Sequence, residues 1–348
     1  MTTLSLRVLP GREIRAERRS VLAGGALILV ALLLGFGGLC YGDGWSRPAE
    51  VVAALDGDGT IGFQVTHWRL PRAAAALLFG AALGLSGAIF QNLTRNPLGT
   101  PDVIGLDQGS FTGVLLMITL GQSSATVTGV GLSGGAELAV AALVGGLLAA
   151  VLIYLLAAGP GYSGLRLIVM GIAVNAILGA INSFIILRAD LDVAIAATAW
   201  SAGSINGIGW DDLAIPAMVI LMLGVLLAGL ARPMQQLALG DDVAVASGVG
   251  LVHLRLGLVG IGVALTAVVT AAAGPIIFVA LAAPQIGRRL AGSAGVTLAP
   301  AALTGAALLA AADLAAQAAL APVMLPVGVV TSAFGGIYLL WLLLREAR

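Results

Sequence analysis

Asn96, Pro97 and Leu98 stand between Arg95 and Gly99 at the end of an apolar run, where no helix carries through. Pro97 lacks an amide proton and pushes Asn96 out of the helical region, so backbone polar groups are freed there. Non-helical backbone at a membrane edge is tolerated where it lines a cavity, which suits a gate or pathway wall; a purely structural turn is the alternative. Asp107, between Gly105 and Gly109, and Asp313 are the carboxylates nearest the middle of apolar stretches. A charge at a bilayer centre costs about 2.5–3.5 kcal/mol, so each must face protein or water. Proton relay, a polar pathway lining and structural hydrogen bonding are all open to them, the last favoured for Asp313. Arg69 and Arg72 bracket the start of an apolar run as Arg-Leu-Pro-Arg, fit to meet acidic groups of a partner or to snorkel at the interface. Leu239-Gly240-Asp241-Asp242, running on to Ala246, has the pattern of two short helical pieces, 234–239 and 241–247, broken at Gly240. The two aspartates favour the second piece's N-terminus. Such a bracket outside the membrane suits force transfer from a neighbour; a solvated connector is the alternative.

Composition excludes several other chemistries. Of 348 residues 59% are hydrophobic and 10% charged, and mean hydropathy is +1.05. That is an integral membrane protein. All 17 basic residues are arginine. Without lysine the chain has no standard phosphate-binding loop, so ATP, if used, is bound elsewhere. One cysteine, Cys40, and two histidines, His67 and His253, make no disulfide framework, haem attachment or zinc cluster, and no metal site is expected. A net charge of zero offers no field for nucleic acid. No nucleophile or acid–base constellation suggests an enzyme.

The elements that must position these residues are helical spans. Runs near the ~20 residues a bilayer requires lie at 21–41, 71–92, 104–120, 136–158, 165–187, 213–231, 255–273, 275–290, 299–319 and 327–344. The expected fold is therefore all-α and polytopic, with about ten transmembrane helices in one domain over 21–344, a segment 1–20 before it and a tail 345–348 after it. The long loop 232–254 holds the bracket. An even number of spans puts both termini on one side, together with 13 of the 17 arginines. That side is cytoplasmic by the excess of positive charge. Gly84–Leu98 and Ala271–Arg288 each set small residues before a polar, proline-marked break, in spans of opposite sense. This is the sign of an inverted repeat, a plan that places a transport pathway at the repeat interface.

Arg69-Leu-Pro-Arg72, then Gly80 to Gln91, then Arg95-Asn96-Pro97-Leu98 with Pro101 and Gly105, together resemble the FecCD-type permease subunits of ATP-binding-cassette importers for iron chelates and cobalamin, over nearly the whole chain from about Trp45. Within that family, 93–105, 186–194, 283–298 and 325–343 are most similar to permeases for ferric enterobactin, a catecholate siderophore. The resemblance implies a type II importer permease with an inverted repeat in a bacterial inner membrane, energised by two separate ATPase subunits that bind ATP and Mg, with no cofactor on this chain. It implies a siderophore-binding protein outside, docked on Arg69 and Arg72, and a second related permease, with a heterodimer favoured over a homodimer. Leu239, Gly240, Asp241, Asp242 and Ala246 would couple to the ATPase, and Asn96, Pro97, Leu98 and Asp107 would form the cytoplasmic gate and pathway. Trp200 to Ser204 matches the family's W-x-x-G-S element, and Gln317 stands where related permeases often carry a third docking arginine. Cobalamin or haem as cargo, and a self-sufficient transporter driven by protons through Asp107 or Asp313, are the alternatives.

Overall fold

The computed structural model describes residues 3–9, 12–42, 44–55, 59–123, 134–157, 164–321 and 323–346. Helices dominate because a backbone in hydrocarbon must satisfy its own hydrogen bonds. In order they are α1 (Arg18–Cys40), α2 (Pro48–Ala54), α3 (Gly59–Gln64), α4 (Leu70–Thr94), α5 (Leu106–Ser123), α6 (Gly134–Ala157) and α7 (Gly164–Arg188). There follow α8 (Leu191–Ser201), α9 (Trp210–Ala238), α10 (Asp241–Ala246), α11 (Leu251–Ala273), α12 (Val279–Ala291), α13 (Leu298–Ala318) and α14 (Val327–Glu346). A π-helical turn, Val65–Arg69, joins α3 to α4. Among the described residues, seven helices are long and apolar enough to cross a membrane, and α5 and α14 carry shorter apolar stretches.

Three expectations shift. The segment before the first span holds two antiparallel strands, β1 (Thr3–Leu9) and β2 (Arg12–Glu17), paired from Thr3 opposite Glu17 to Leu9 opposite Arg12, the only strands among the described residues. The run 275–290 becomes helical only at Val279, because Gly274 and Phe278 are left-handed (φ 72° and 70°), and the resulting 13-residue α12 is short for a crossing. Its Pro284 lies inside the helix rather than ending it. The helix expected over 213–231 instead continues through Pro233 to Ala238, since Met234 and Leu237 are buried and hold the last turns in place.

Helix α4 is the centre of the packing. It lies against α13, α11 and α12, while α11 also lies against α6. The second span of each half, α4 and α11, thus packs on the fourth span of the other, α13 and α6. Glycines make this possible, because only a residue without Cβ lets two backbones come this close. A Cβ on Gly80 or Gly84 would run into the carbonyl of Gly305 or Ala301 on α13, and one on Gly87 into the carbonyl of Ala280 on α12. Buried hydroxyls stitch α4 to α11: Thr266 Oγ1 donates to Ser86 Oγ (2.8 Å), which donates to the Gly262 carbonyl (2.7 Å). Gln91 Nε2 donates to the Leu281 carbonyl (3.0 Å) and its Oε1 accepts from Gln285 (2.6 Å).

The helices sort polar groups to two ends. Arg19, Arg95, Asp241 and Arg289 share one, since Arg19 donates to the Arg289 carbonyl (3.0 Å) and Arg95, Arg288 and Arg289 line one cleft. Arg69, Trp210 and Ser204 share the other, with Trp210 Nε1 donating to the Thr66 carbonyl (2.8 Å) and Ser204 N to the Ala273 carbonyl (2.6 Å). Gly87→Val should lower stability by about 1–3 kcal/mol through overpacking. Gly224→Ala, on α9 where a Cβ meets nothing within 4 Å, should change it by less than about 1 kcal/mol and in the stabilising direction. Thermal unfolding in detergent distinguishes the two, and equal losses would contradict the packing described.

Candidate functional site

The turn after α4 begins at Arg95, a non-glycine residue in the left-handed region (φ 50°). Such a conformation costs on the order of 1–3 kcal/mol and persists only where its surroundings fix it. Here they do. Asn96 Oδ1 accepts from Leu98 N (2.9 Å), Gly99 N donates to the Asn96 carbonyl (3.0 Å), and Thr94 Oγ1 donates to the Phe90 carbonyl (2.7 Å). Pro97 and Leu98 are exposed at the arginine-rich end, and Asn96 is half-buried. Arg95, Asn96 and Pro97 line a cleft of 280 Å³ with Gln91, Gln285 and Arg288.

The bracket stands beside this turn. Helix α9 has 29 residues, about 43 Å at 1.5 Å per residue against a ~30 Å hydrocarbon core, so its last turns project beyond it. Gly240 (φ 131°) then reverses the chain in a region of backbone space that side chains rarely enter, and α10 follows. Only Ala244 of α10 is buried; Leu239 is 73% exposed and Val245 57%, with Val243, Asp242 and Ala246 also exposed. Asp241 faces inward. Its Oδ1 accepts from Arg95 (2.5 Å) and its Oδ2 from Arg255 of α11 (2.6 Å), and the same Arg95 nitrogen donates to the Leu237 carbonyl (3.2 Å). Partial burial pushes the Asp241 carboxyl up, but the Arg255 hydrogen bond and charge, with the charge of Arg95, outweigh it and hold the group below the usual carboxylate range. It is therefore ionised at any physiological pH, and its contribution is lost only as pH falls through that depressed value. The turn and the bracket, expected as separate sites, are one assembly.

Arg69 and Arg72 lie elsewhere than an exposed docking pair would. Arg69 is half-buried and its Nη1 donates to the Leu39 carbonyl and to Ser46 Oγ, both at 3.1 Å, tying the end of α1 to the loop before α2. Arg72 is buried. Its Nη2 donates to Asp313 Oδ1 (2.7 Å) and its Nε to both oxygens (3.0 and 3.2 Å), while Gln317 Nε2 donates to Asp313 Oδ2 (2.9 Å). The side chains are 11% and 4% exposed. Asp313 is thus the counter-ion of Arg72 across the α4–α13 contact, and Gln317 completes its shell. Sequence reading placed these charges singly. No local pattern joined them, since the two residues stand 241 positions apart.

Asp107 is separated from Asn96, Pro97 and Leu98. The turn after α4 is followed by a single 3-10 turn, Pro101–Ile104, and Asp107, in the first turn of α5, lies beside Asp102 and Thr270 of α11. These carboxyls face a second cavity of 780 Å³ between α5, α7 and Pro275. Its wall is amide-rich: Asn182 Nδ2 donates to Gln108 Oε1 (3.0 Å), Thr112 Oγ1 to Asn182 Oδ1 (2.7 Å), and Asn175 Nδ2 to the Asp102 carbonyl (3.0 Å). The polar residues of α7 were missed by sequence reading, although asparagines at 175 and 182, seven apart, mark one helix face. Trp200, at the end of α8, stacks on Phe111 with ring centroids 6.3 Å apart near the same cavity. His67 stacks on Phe63 at 4.3 Å and belongs to no cluster of metal-ligating side chains among the described residues.

Known proteins resemble this chain over most of its length. The family model described as the FecCD transport family matches residues 27–345. The ferric enterobactin transport system permease protein FepG of Escherichia coli (strain K12) is 45% identical over 338 residues, covering 96% of this chain and 99% of that protein. The iron(3+)-hydroxamate import system permease protein FhuG of Bacillus subtilis (strain 168) is 37% identical over 303 residues, covering 86% and 89%. Among solved structures, one described as a metal-chelate type ABC transporter in an inward-facing conformation superposes with a TM-score of 0.79 at 25% identity, over 94% of this chain and 99% of that one. The helical importer-permease architecture expected from sequence is the one observed.

Removing one partner of the buried pair leaves an uncompensated charge, so Arg72→Met and Asp313→Leu should each destabilise by about 3–5 kcal/mol, whereas the two together should cost less than either single change. Chemical or thermal unfolding of the three variants in detergent measures this, and additive losses would contradict a pair.

Proposed function

The chain belongs to the FecCD transport family, and from that premise we propose that it is the permease subunit of an ATP-driven importer that carries a ferric siderophore across the bacterial cytoplasmic membrane. The observation that carries this reading is the bracket: a glycine-reversed helix beyond the hydrocarbon core that exposes Leu239, Val243 and Val245 and buries only Ala244. Apolar side chains held out in the aqueous phase suit a groove on another protein. The absence of lysine directs ATP and Mg to that other protein, a pair of ATPase subunits. Relatives of this chain are named as transport permeases, which supports carriage of the cargo intact.

The mechanism is alternating access in a core of two permeases. ATP binding on the partners moves the bracket, the bracket moves the ends of α9 and α11, and the cleft at Asn96 and Pro97 opens or closes. The arginine-rich end, with both termini, is cytoplasmic, in keeping with the excess of positive charge there. A binding protein delivers cargo at the opposite end, where Arg69 stays partly accessible. Ferric enterobactin is the favoured cargo because the 45% identical relative is named for it. The pairing partner is a related but different permease chain. Asp313, bound to Arg72 and Gln317, has the environment of a structural carboxylate rather than a proton carrier.

Gly240→Val forces a side chain into φ 131°, and Asp241→Arg sets three positive charges together. In vesicles holding the whole complex, each should lower ferric enterobactin uptake about tenfold or more while ATP hydrolysis continues. Unchanged uptake at normal expression would contradict the coupling role.

A further inference from the structure

One carboxylate at the arginine-rich end gathers four chain segments. Asp241, in the first turn of α10, accepts from Arg255 in the first turn of α11 and from Arg95 at the end of α4, and Arg95 also holds the Leu237 carbonyl in the last turn of α9. Arg95 therefore grips the chain on both sides of Gly240, where the bracket reverses. It is also the residue immediately before Asn96. We infer that Arg95 is the positioning residue that transmits movement of the bracket to the turn at Asn96–Leu98, with Asp241 as the shared acceptor through which it acts. This rests on the reading of the bracket as the ATPase contact.

Three observations favour transmission over simple stabilisation. The Arg95 and Asp241 side chains are 48% and 41% exposed, and ion pairs so exposed add little to folding stability. Their geometry is nevertheless specific, because one terminal nitrogen of Arg95 donates both to Asp241 Oδ1 and to the Leu237 carbonyl. The turn is itself stiff: the Asn96–Leu98 and Asn96–Gly99 hydrogen bonds close it, and a Cβ on Gly99 would strike Thr94 Oγ1. A stiff turn cannot absorb displacement of Arg95 internally and moves with it. Arg95, Asn96 and Pro97 also wall the 280 Å³ cleft against Gln91 and Gln285, which are hydrogen-bonded to each other across α4 and α12. Displacing Arg95 therefore reshapes the cleft.

The test is a double-mutant cycle in vesicles containing the complete complex with its ATPases and binding protein, reading ferric enterobactin taken up per ATP hydrolysed. Arg95→Gln and Asp241→Asn should each lower that ratio roughly three- to tenfold, the double variant should fall no further than the worse single, and Arg95→Lys should recover part of the loss. An unchanged ratio in Arg95→Gln, or single losses that multiply in the double variant, overturns the inference. If Arg95→Gln does not assemble with the ATPase, the cycle is closed with Arg95→Lys, where the same non-additivity is required. Failure of the underlying functional reading is distinguishable, because the unaltered complex would then show no ATP-dependent uptake at all.

Discussion

A chain that crosses hydrocarbon must satisfy its backbone internally, and where this one leaves the helix at 95–105 and at 274–278, neighbouring segments supply hydrogen bonds. The rest of the architecture depends on that constraint. Segment 95–105 departs from α4 and segment 274–278 from α11, each at a left-handed residue, and both are held by neighbours: Asn175 caps the Asp102 carbonyl, and Ser204 N donates to that of Ala273. Helix α4 can support these departures because glycines at 80, 84 and 87 seat it directly on the backbones of α13 and α12. Close seating leaves little slack, so what moves α4 or its turn must move as a block.

Two ion-pair assemblies divide the labour along α4. Near its start, Arg72 is locked into Asp313 with almost no water, an arrangement that is strongly destabilising to break and gives α4 and α13 a fixed register. Past its other end, Arg95 meets Asp241 in a half-exposed pair that adds little to stability and can exchange partners with water. A buried anchor at one end, and at the other a half-exposed contact that adds little stability but grips the bracket on both sides of Gly240, fit a chain that carries a displacement from the bracket into the cleft. The amide-lined cavity beside Asp107 lies away from that cleft, between α5 and α7, so polar lining and gate are separate features.

Much of this was legible in the sequence for local reasons. Pro97 and Gly99 announce the turn, Gly240 announces the reversal, and the apolar runs mark the helices, because each is decided by residues within a few positions of one another. The interhelical partnerships were not legible. Arg72 and Asp313 are 241 positions apart, and which helix meets which is set by where glycines allow close approach rather than by any local pattern. The same holds for Asp107, grouped with the gate and pathway residues, which lines the cavity between α5 and α7 and not the cleft at Asn96. The span expected to end at 231 runs on to Ala238 for a different reason: Pro233 removes one hydrogen bond, and burial of Met234 and Leu237 holds the helix together across it.

The account stands on this chain being driven by an ATPase that grips its bracket. The most direct test is purification of the chain from membranes of its own cell in mild detergent, with mass spectrometry of the bound chains. The account predicts recovery of an ATPase carrying the phosphate-binding lysine motif that this chain lacks, together with a second, non-identical permease. Recovery of this chain alone, and uptake by it after reconstitution without ATP, would contradict it.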